Sequence, residues 1–133
     1  MNLESFRHYK LDIEKMDEQH FEILCLVNDI SRSKICDRNI VLAKIQKLET
    51  IVDTHLKDEE AFMEEINFPY RKFHHEHHIT MRSEIARIIS FVRDTNQCMV
   101  SSIDKISDMF FSHVDHDDTQ YGDYYKNVFL KNQ

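Results

Sequence analysis

The chemistry-bearing stretch of this 133-residue chain is His74-His75-Glu76-His77-His78, four imidazoles within five residues. It lies inside a segment whose apolar residues recur at helical spacing, where no turn or cap requires histidine. Two of the four, His74 and His78, share one face with Met81, Ile85, Ile88 and Val92, whereas His75 and His77 fall off it. A second segment carries an equally regular seam: Val41, Ile45, Leu48, Val52, His55, Glu59, Phe62, Ile66. There His55 and Glu59 stand where apolar residues are expected. His20 interrupts the stripe Ile13, Met16, Leu24, Val27, and His113 ends the stripe Met99, Ile103, Ile106, Phe110.

The elements that must carry these residues are helices. Gly and Pro occur once each, too few for the turns of a β-rich chain. The length fits one domain over residues 1–133. Four amphipathic segments are separated near Ser31–Lys34, at Asn67-Phe68-Pro69 and around Asp94–Gln97. Short connections make neighbours antiparallel, so the expected fold is an all-α, up-down-up-down four-helix bundle. Residues 1–12 are an arm packed on it, and Tyr121 to Phe129 form a short closing segment. Asp37 or Asn39 is available to cap the second helix.

Measured from each turn at about 1.5 Å per residue, His20, His55, Glu59, His74, His78 and His113 reach one level of the bundle. Polar groups buried there without partners cost several kcal/mol, and a metal is the readiest partner for imidazole and carboxylate in a bundle core. The set exceeds the four ligands of tetrahedral zinc. Five nitrogens with carboxylate oxygen suit two borderline metals, iron first.

Other features bound the function. Acidic residues outnumber basic ones 24 to 17, for a net charge of −7, which disfavours nucleic acid and anionic membrane as partners. No apolar run approaches the roughly 20 residues of a membrane span, and no apolar signal region follows Met1. Cys25, Cys36 and Cys98 lack paired spacing, which fits a reducing cytoplasm; Cys25 is expected in the core. His8, His75, His77 and His116 are expected to be exposed bystanders, and Asp58, Glu60, Glu64 and Glu65 a solvated acidic face.

The chain resembles the hemerythrins, and by length the single-domain bacterial ones. The resemblance rests on Met16-Asp17-Glu18-Gln19-His20, His55-x-x-x-Glu59-Glu60-x-x-Met63, Phe68-Pro69, His74-x-x-x-His78 and His113-x-x-x-x-Asp118-x-x-Tyr121, in that order over nearly the whole chain. It implies a non-haem di-iron centre: His74, His78 and His113 on one iron, His20 and His55 on the other, with Glu59, Asp118 and an oxo or hydroxo group as bridges. Periodicity alone selects Asp117, four residues after His113 and aligned with it. The resemblance selects Asp118, which requires the helix to deform there, as a π-type bulge would.

The implied function is reversible dioxygen binding for carriage, storage or delivery, without catalysis. The competing readings are di-iron redox chemistry that protects oxygen-sensitive enzymes, and sensing of oxygen or nitric oxide. Ile23, Phe62 and Phe110 are the candidate lining of the oxygen pocket. Two departures from the family stand out. Met109-Phe110 replaces the usual Trp-Leu, which narrows the pocket, and Asp12 stands where many relatives have glycine.

Overall fold

A computed structural model describes residues 3–32, 38–95 and 99–133. Its described residues form an all-α bundle of four long helices: α1 (Glu14–Arg32), α2 (Arg38–Glu65), α3 (Arg71–Thr95) and α4 (Met99–His113). A short fifth helix, α5 (Thr119–Tyr124), continues from α4. The long helices contact one another in a ring, α1 with α2 and α4, and α3 with α2 and α4. Cross-helix bonds fix their directions. Along α1 and α2 the pairs are Gln19–Asp58 and Asp29–Lys44. Along α2 and α3 they are Asp53–Arg82 and Glu59–His74. In each case the partner's number falls as the other rises, so the neighbours are antiparallel.

The ends of the elements follow local chemistry. Helix α2 stops because Asn67 adopts φ 53°, a left-handed conformation that asparagine tolerates better than most side chains. The amide of Phe68 then returns to the Met63 carbonyl at 2.9 Å, and that of Asn67 to the Glu64 carbonyl at 3.1 Å. This double return closes the helix end, and Pro69 prevents continuation. Asn39 is the second residue of α2 and not its cap; Asp37, Cys36 and Cys98 lie outside the described residues.

The N-terminal arm does pack on the bundle. Leu3–Tyr9 form a 3-10 helix, Phe6 is buried, and Tyr9 meets Phe111 edge-on at 5.2 Å. Asp12, where the resemblance leads to the expectation of glycine, has φ 59°. Glycine accepts that conformation without strain; here an aspartate does, its carboxylate 2.8 Å from Lys126 Nζ. The expectation for Cys25 is corrected: its side chain is exposed. It follows Leu24 on α1, one residue off the buried stripe, and so points outward.

The interior is apolar at both ends and polar between. One cluster includes Ile23, Leu24, Leu56, Met81, Ile85, Phe110 and Phe111. The other holds Leu11, Ile13, Met16, Met63, Ile66, Phe68 and Tyr121. Along α1, His20 falls between Met16 of the second cluster and Ile23 of the first, and α2 places Glu59 likewise between Met63 and Leu56.

Candidate metal centre

Each long helix delivers its polar residues to this middle layer. His20 comes from α1, His55 and Glu59 from α2, His74 and His78 from α3, and His113 from the last position of α4. The i,i+4 pairs on α2 and α3 put two side chains on one face. Asp118 arrives by a different route. Val114–Asp118 form a π turn, in which the amide of Thr119 reaches back five residues to the Val114 carbonyl. The wider turn rotates Asp118 inward, and it is fully buried.

Both carboxylates divide their oxygens between two sets of imidazoles. Glu59 Oε1 lies 2.8 Å from His78 Nε2 and 3.0 Å from His74 Nε2, with His113 Nε2 at 3.8 Å. Glu59 Oε2 faces His55 Nε2 at 3.2 Å and His20 Nε2 at 3.7 Å. Asp118 repeats the division. Its Oδ1 is 3.0 Å from both His74 and His113 Nε2, and its Oδ2 is 3.3 Å from His20 Nε2. Two compact donor sets result: Glu59, His74, His78, His113 and Asp118 in one, and His20, His55, Glu59 and Asp118 in the other. The residues expected to meet at one level are brought together, and Asp118 with them.

The donor set fits a metal better than it fits itself. His20 and His55 point Nε2 at Nε2 across 3.0 Å, as His78 and His113 do across 3.1 Å. Both Asp118 oxygens are buried without a hydrogen bond despite their imidazole neighbours. Buried polar groups normally find partners, and here lone pairs converge on shared points instead. The outer nitrogens are partly held. His55 Nδ1 bonds Gln19 Oε1 at 2.7 Å, and Gln19 Nε2 in turn donates to Asp58 Oδ2 at 2.7 Å. His113 Nδ1 donates to Asp117 Oδ2 at 2.8 Å. Tyr121, fully buried, donates its hydroxyl proton to Glu59 Oε2 at 2.8 Å.

The chain is 28% identical over 120 residues to proteins named bacteriohemerythrin from three strains of Campylobacter jejuni subsp. jejuni, serotypes O:23/36, O:6 and O:2, across 87% of this chain and 90% of each relative. The chain is hemerythrin-like. No family model matches it, and no solved structure does. The hemerythrin-like pattern and the geometry meet in a buried His, Glu and Asp cluster able to hold metal.

The pocket candidates separate. Phe110 stands edge-on to His20 and His55, with ring centroids 5.8 Å from each, in the same apolar cluster as Ile23. Phe62 packs into the other cluster, against Tyr121 and Tyr125. Off the seam, His8, His75 and His116 are exposed as expected. His77 is half-buried and bonded to Asp117. Asp58 and Glu60 are not simply solvated: Asp58 holds Gln19, and Glu60 pairs with His75 and lies 3.3 Å from His78 Nδ1. These pairings join different helices, so no periodicity within one segment could have revealed them.

Without metal the layer must hold protons. Burial opposes charge on His20 and His74, but the carboxylates of Asp118 and Glu59 close to their ring nitrogens outweigh it and push both up to about 9. Burial likewise opposes charge on His113, which the same carboxylates push up to about 11. Burial also opposes ionisation of Glu59 and Asp118, and Asp118 feels Glu59's charge as well, yet the imidazoles hold both carboxyls below their usual range. A histidine raised above its ordinary 6.5 adds stability in full below that pH and loses it as pH rises through the folded value. The lowered carboxyls act oppositely, adding stability above about pH 4 and losing it in acid. The melting temperature of chelator-treated protein should therefore fall between pH 6.5 and 9, and iron loading should flatten the profile by displacing the protons. A melting temperature that rises over that interval would contradict this balance.

Proposed function

We propose that this chain is a single di-iron domain that binds dioxygen reversibly. The observation that carries the reading is the shared division of Glu59 and Asp118, each giving one oxygen to the set with three imidazoles and one to the set with two. Carboxylates so placed would be shared between two metal ions. Side chains that bind metals at this mixture of nitrogen and oxygen suit iron, and the relatives' name supports that choice. On this reading His74, His78 and His113 would hold one iron, and His20 and His55 the other. Two ferrous ions, when bound, supply the electrons that reversible oxygen binding requires.

The chain's own part is positioning and exclusion. The set with two imidazoles is one nitrogen short of its neighbour, so a metal held there would keep a position for a small exogenous ligand beside His20 and His55. Phe110 and Ile23, both 1% exposed, keep that side dry, which protects the bound ligand from protonation by solvent. Tyr121 holds Glu59 in place through its hydroxyl. Burial and the nearby carboxylates raise Tyr121 well above its ordinary range, so it stays a neutral donor. No described helix is long and apolar enough to cross a membrane, and the acidic charge gives nucleic acid no general foothold. A reducing cytoplasm fits the cysteine usage.

The test is to load the protein with ferrous iron without air, admit oxygen and record the visible spectrum. A new absorption band that vanishes on deoxygenation is the expected result. Rapid, irreversible conversion to a ferric form without that band would overturn carriage and move the function to redox chemistry.

A further inference from the structure

The resemblance assigns Asp118 and leaves its neighbour Asp117 without a role, and it leaves His77 outside the ligand set. In the structure these two residues meet on the far side of His113. Asp117 Oδ2 accepts from His113 Nδ1 at 2.8 Å and from His77 Nδ1 at 3.0 Å. The His77 ring is itself held, packing on Phe73 with centroids 4.4 Å apart. His113 is therefore bracketed by consecutive residues: Asp118 at its inner nitrogen and Asp117 at its outer one. The π turn allows this, because Asp117 keeps the aligned i+4 position while Asp118 is rotated into the layer.

We propose that Asp117, held by His77, is the positioning carboxylate of His113. By accepting the Nδ1 proton it fixes the ring with Nε2 aimed inward and makes that nitrogen a stronger donor. The outer nitrogens of the other histidines are held differently. His55 has a neutral amide, Gln19. His20 Nδ1 and His78 Nδ1 are buried without a hydrogen bond, the Glu60 carboxylate being 3.3 Å from the latter but poorly aligned. The set with three imidazoles thus also receives the charged outer acceptor. That makes its metal the more firmly held of the two, and leaves the weaker donors beside the open position. This inference rests on the di-iron reading above.

The test uses iron-loaded protein, comparing wild type with Asp117→Asn, Asp117→Glu, His77→Phe and Asp115→Asn. Asp115 sits in the same π turn but pairs outward with His8, so its variant removes the same charge without touching His113. The readouts are iron per chain, the rate of iron loss to a ferrous chelator and the absorption spectrum of the ferric form. Asp117→Asn should lose iron about 10–100-fold faster than wild type and shift the spectrum. Asp117→Glu should recover much of the loss, His77→Phe should show a smaller effect in the same direction, and Asp115→Asn should match wild type. If Asp117→Asn and His77→Phe both match Asp115→Asn, the positioning role is overturned while the di-iron reading stands. If wild type itself takes up no iron, the di-iron reading fails, and this inference with it. Should Asp117→Asn not fold, the half-exposed His77 still decides the matter through its own variant.

Discussion

Replacing Glu59 with alanine should leave the four helices in place and remove at least one iron from each chain. Glu59 has oxygens within 3.7 Å of His20, His55, His74 and His78, more of the layer than any single imidazole reaches. If two irons bind as proposed, its loss would leave both a ligand short, and it would leave the Tyr121 hydroxyl buried without its acceptor. An unsatisfied buried donor costs about 1–3 kcal/mol, which lowers stability but does not dismantle a bundle with two apolar clusters. Metal analysis after gel filtration gives the stoichiometry, and circular dichroism reports whether the helices persist. Two irons retained per chain would refute the bridge. Glu59→Gln separates the contributions: the amide can still accept from Tyr121, but it lacks the charge and one of the two equivalent oxygens that bridging needs.

Phe110→Ala should produce the second large effect, on stability and on oxygen chemistry together. The ring is 1% exposed, touches Phe111 edge-on at 5.1 Å and stands over His20 and His55. Truncating a buried phenylalanine to alanine costs about 3–5 kcal/mol. For a chain of this length that lowers the melting temperature by about 10–20 °C. The void would open beside the open position, where water can then enter, so the oxygenated form should decay to ferric protein faster than in wild type. Phe110→Leu introduces the residue that the hemerythrin resemblance implies there, and widens the space with less lost packing. It should raise the oxygen association rate with a much smaller thermal penalty. Unchanged oxygen kinetics in both variants would place the pocket elsewhere.

These expectations depend on features that were unequally legible in the sequence. The bundle and the convergence of His20, His55, Glu59, His74, His78 and His113 were readable because both follow from helical periodicity. A polar residue on an otherwise apolar seam must be buried, and its depth can be counted from the turns. Asp118 was not readable that way. The π turn at Val114–Asp118 breaks the period at the position that matters, and regular spacing favours Asp117; only the resemblance pointed to its neighbour. Both carboxylates turn out to face His113, at opposite ring nitrogens. His77, Asp58 and Glu60 illustrate a different limit. Each looks like a surface residue on its own helix, and acquires its contact only when a second helix is docked beside it. Cys25 failed for the reverse reason: free cysteines are commonly buried, but this one lies one residue off the buried stripe of α1 and is exposed.

The polar layer also divides the molecule mechanically. On one side lies the larger apolar cluster, drawn mainly from residues 23–30, 41–56, 81–92 and 103–114. On the other, a smaller one gathers Leu11, Met16, Met63, Phe68 and Tyr121 around the Asn67–Pro69 turn and the C-terminal helix. Packing that is interrupted by charge transmits cooperativity poorly, and regions with fewer buried contacts open independently of the rest. Ligands drawn from all four helices to common ions would couple the two halves into one unfolding unit. Without them, the smaller end is expected to open before the larger one, which hydrogen exchange on metal-free protein would show.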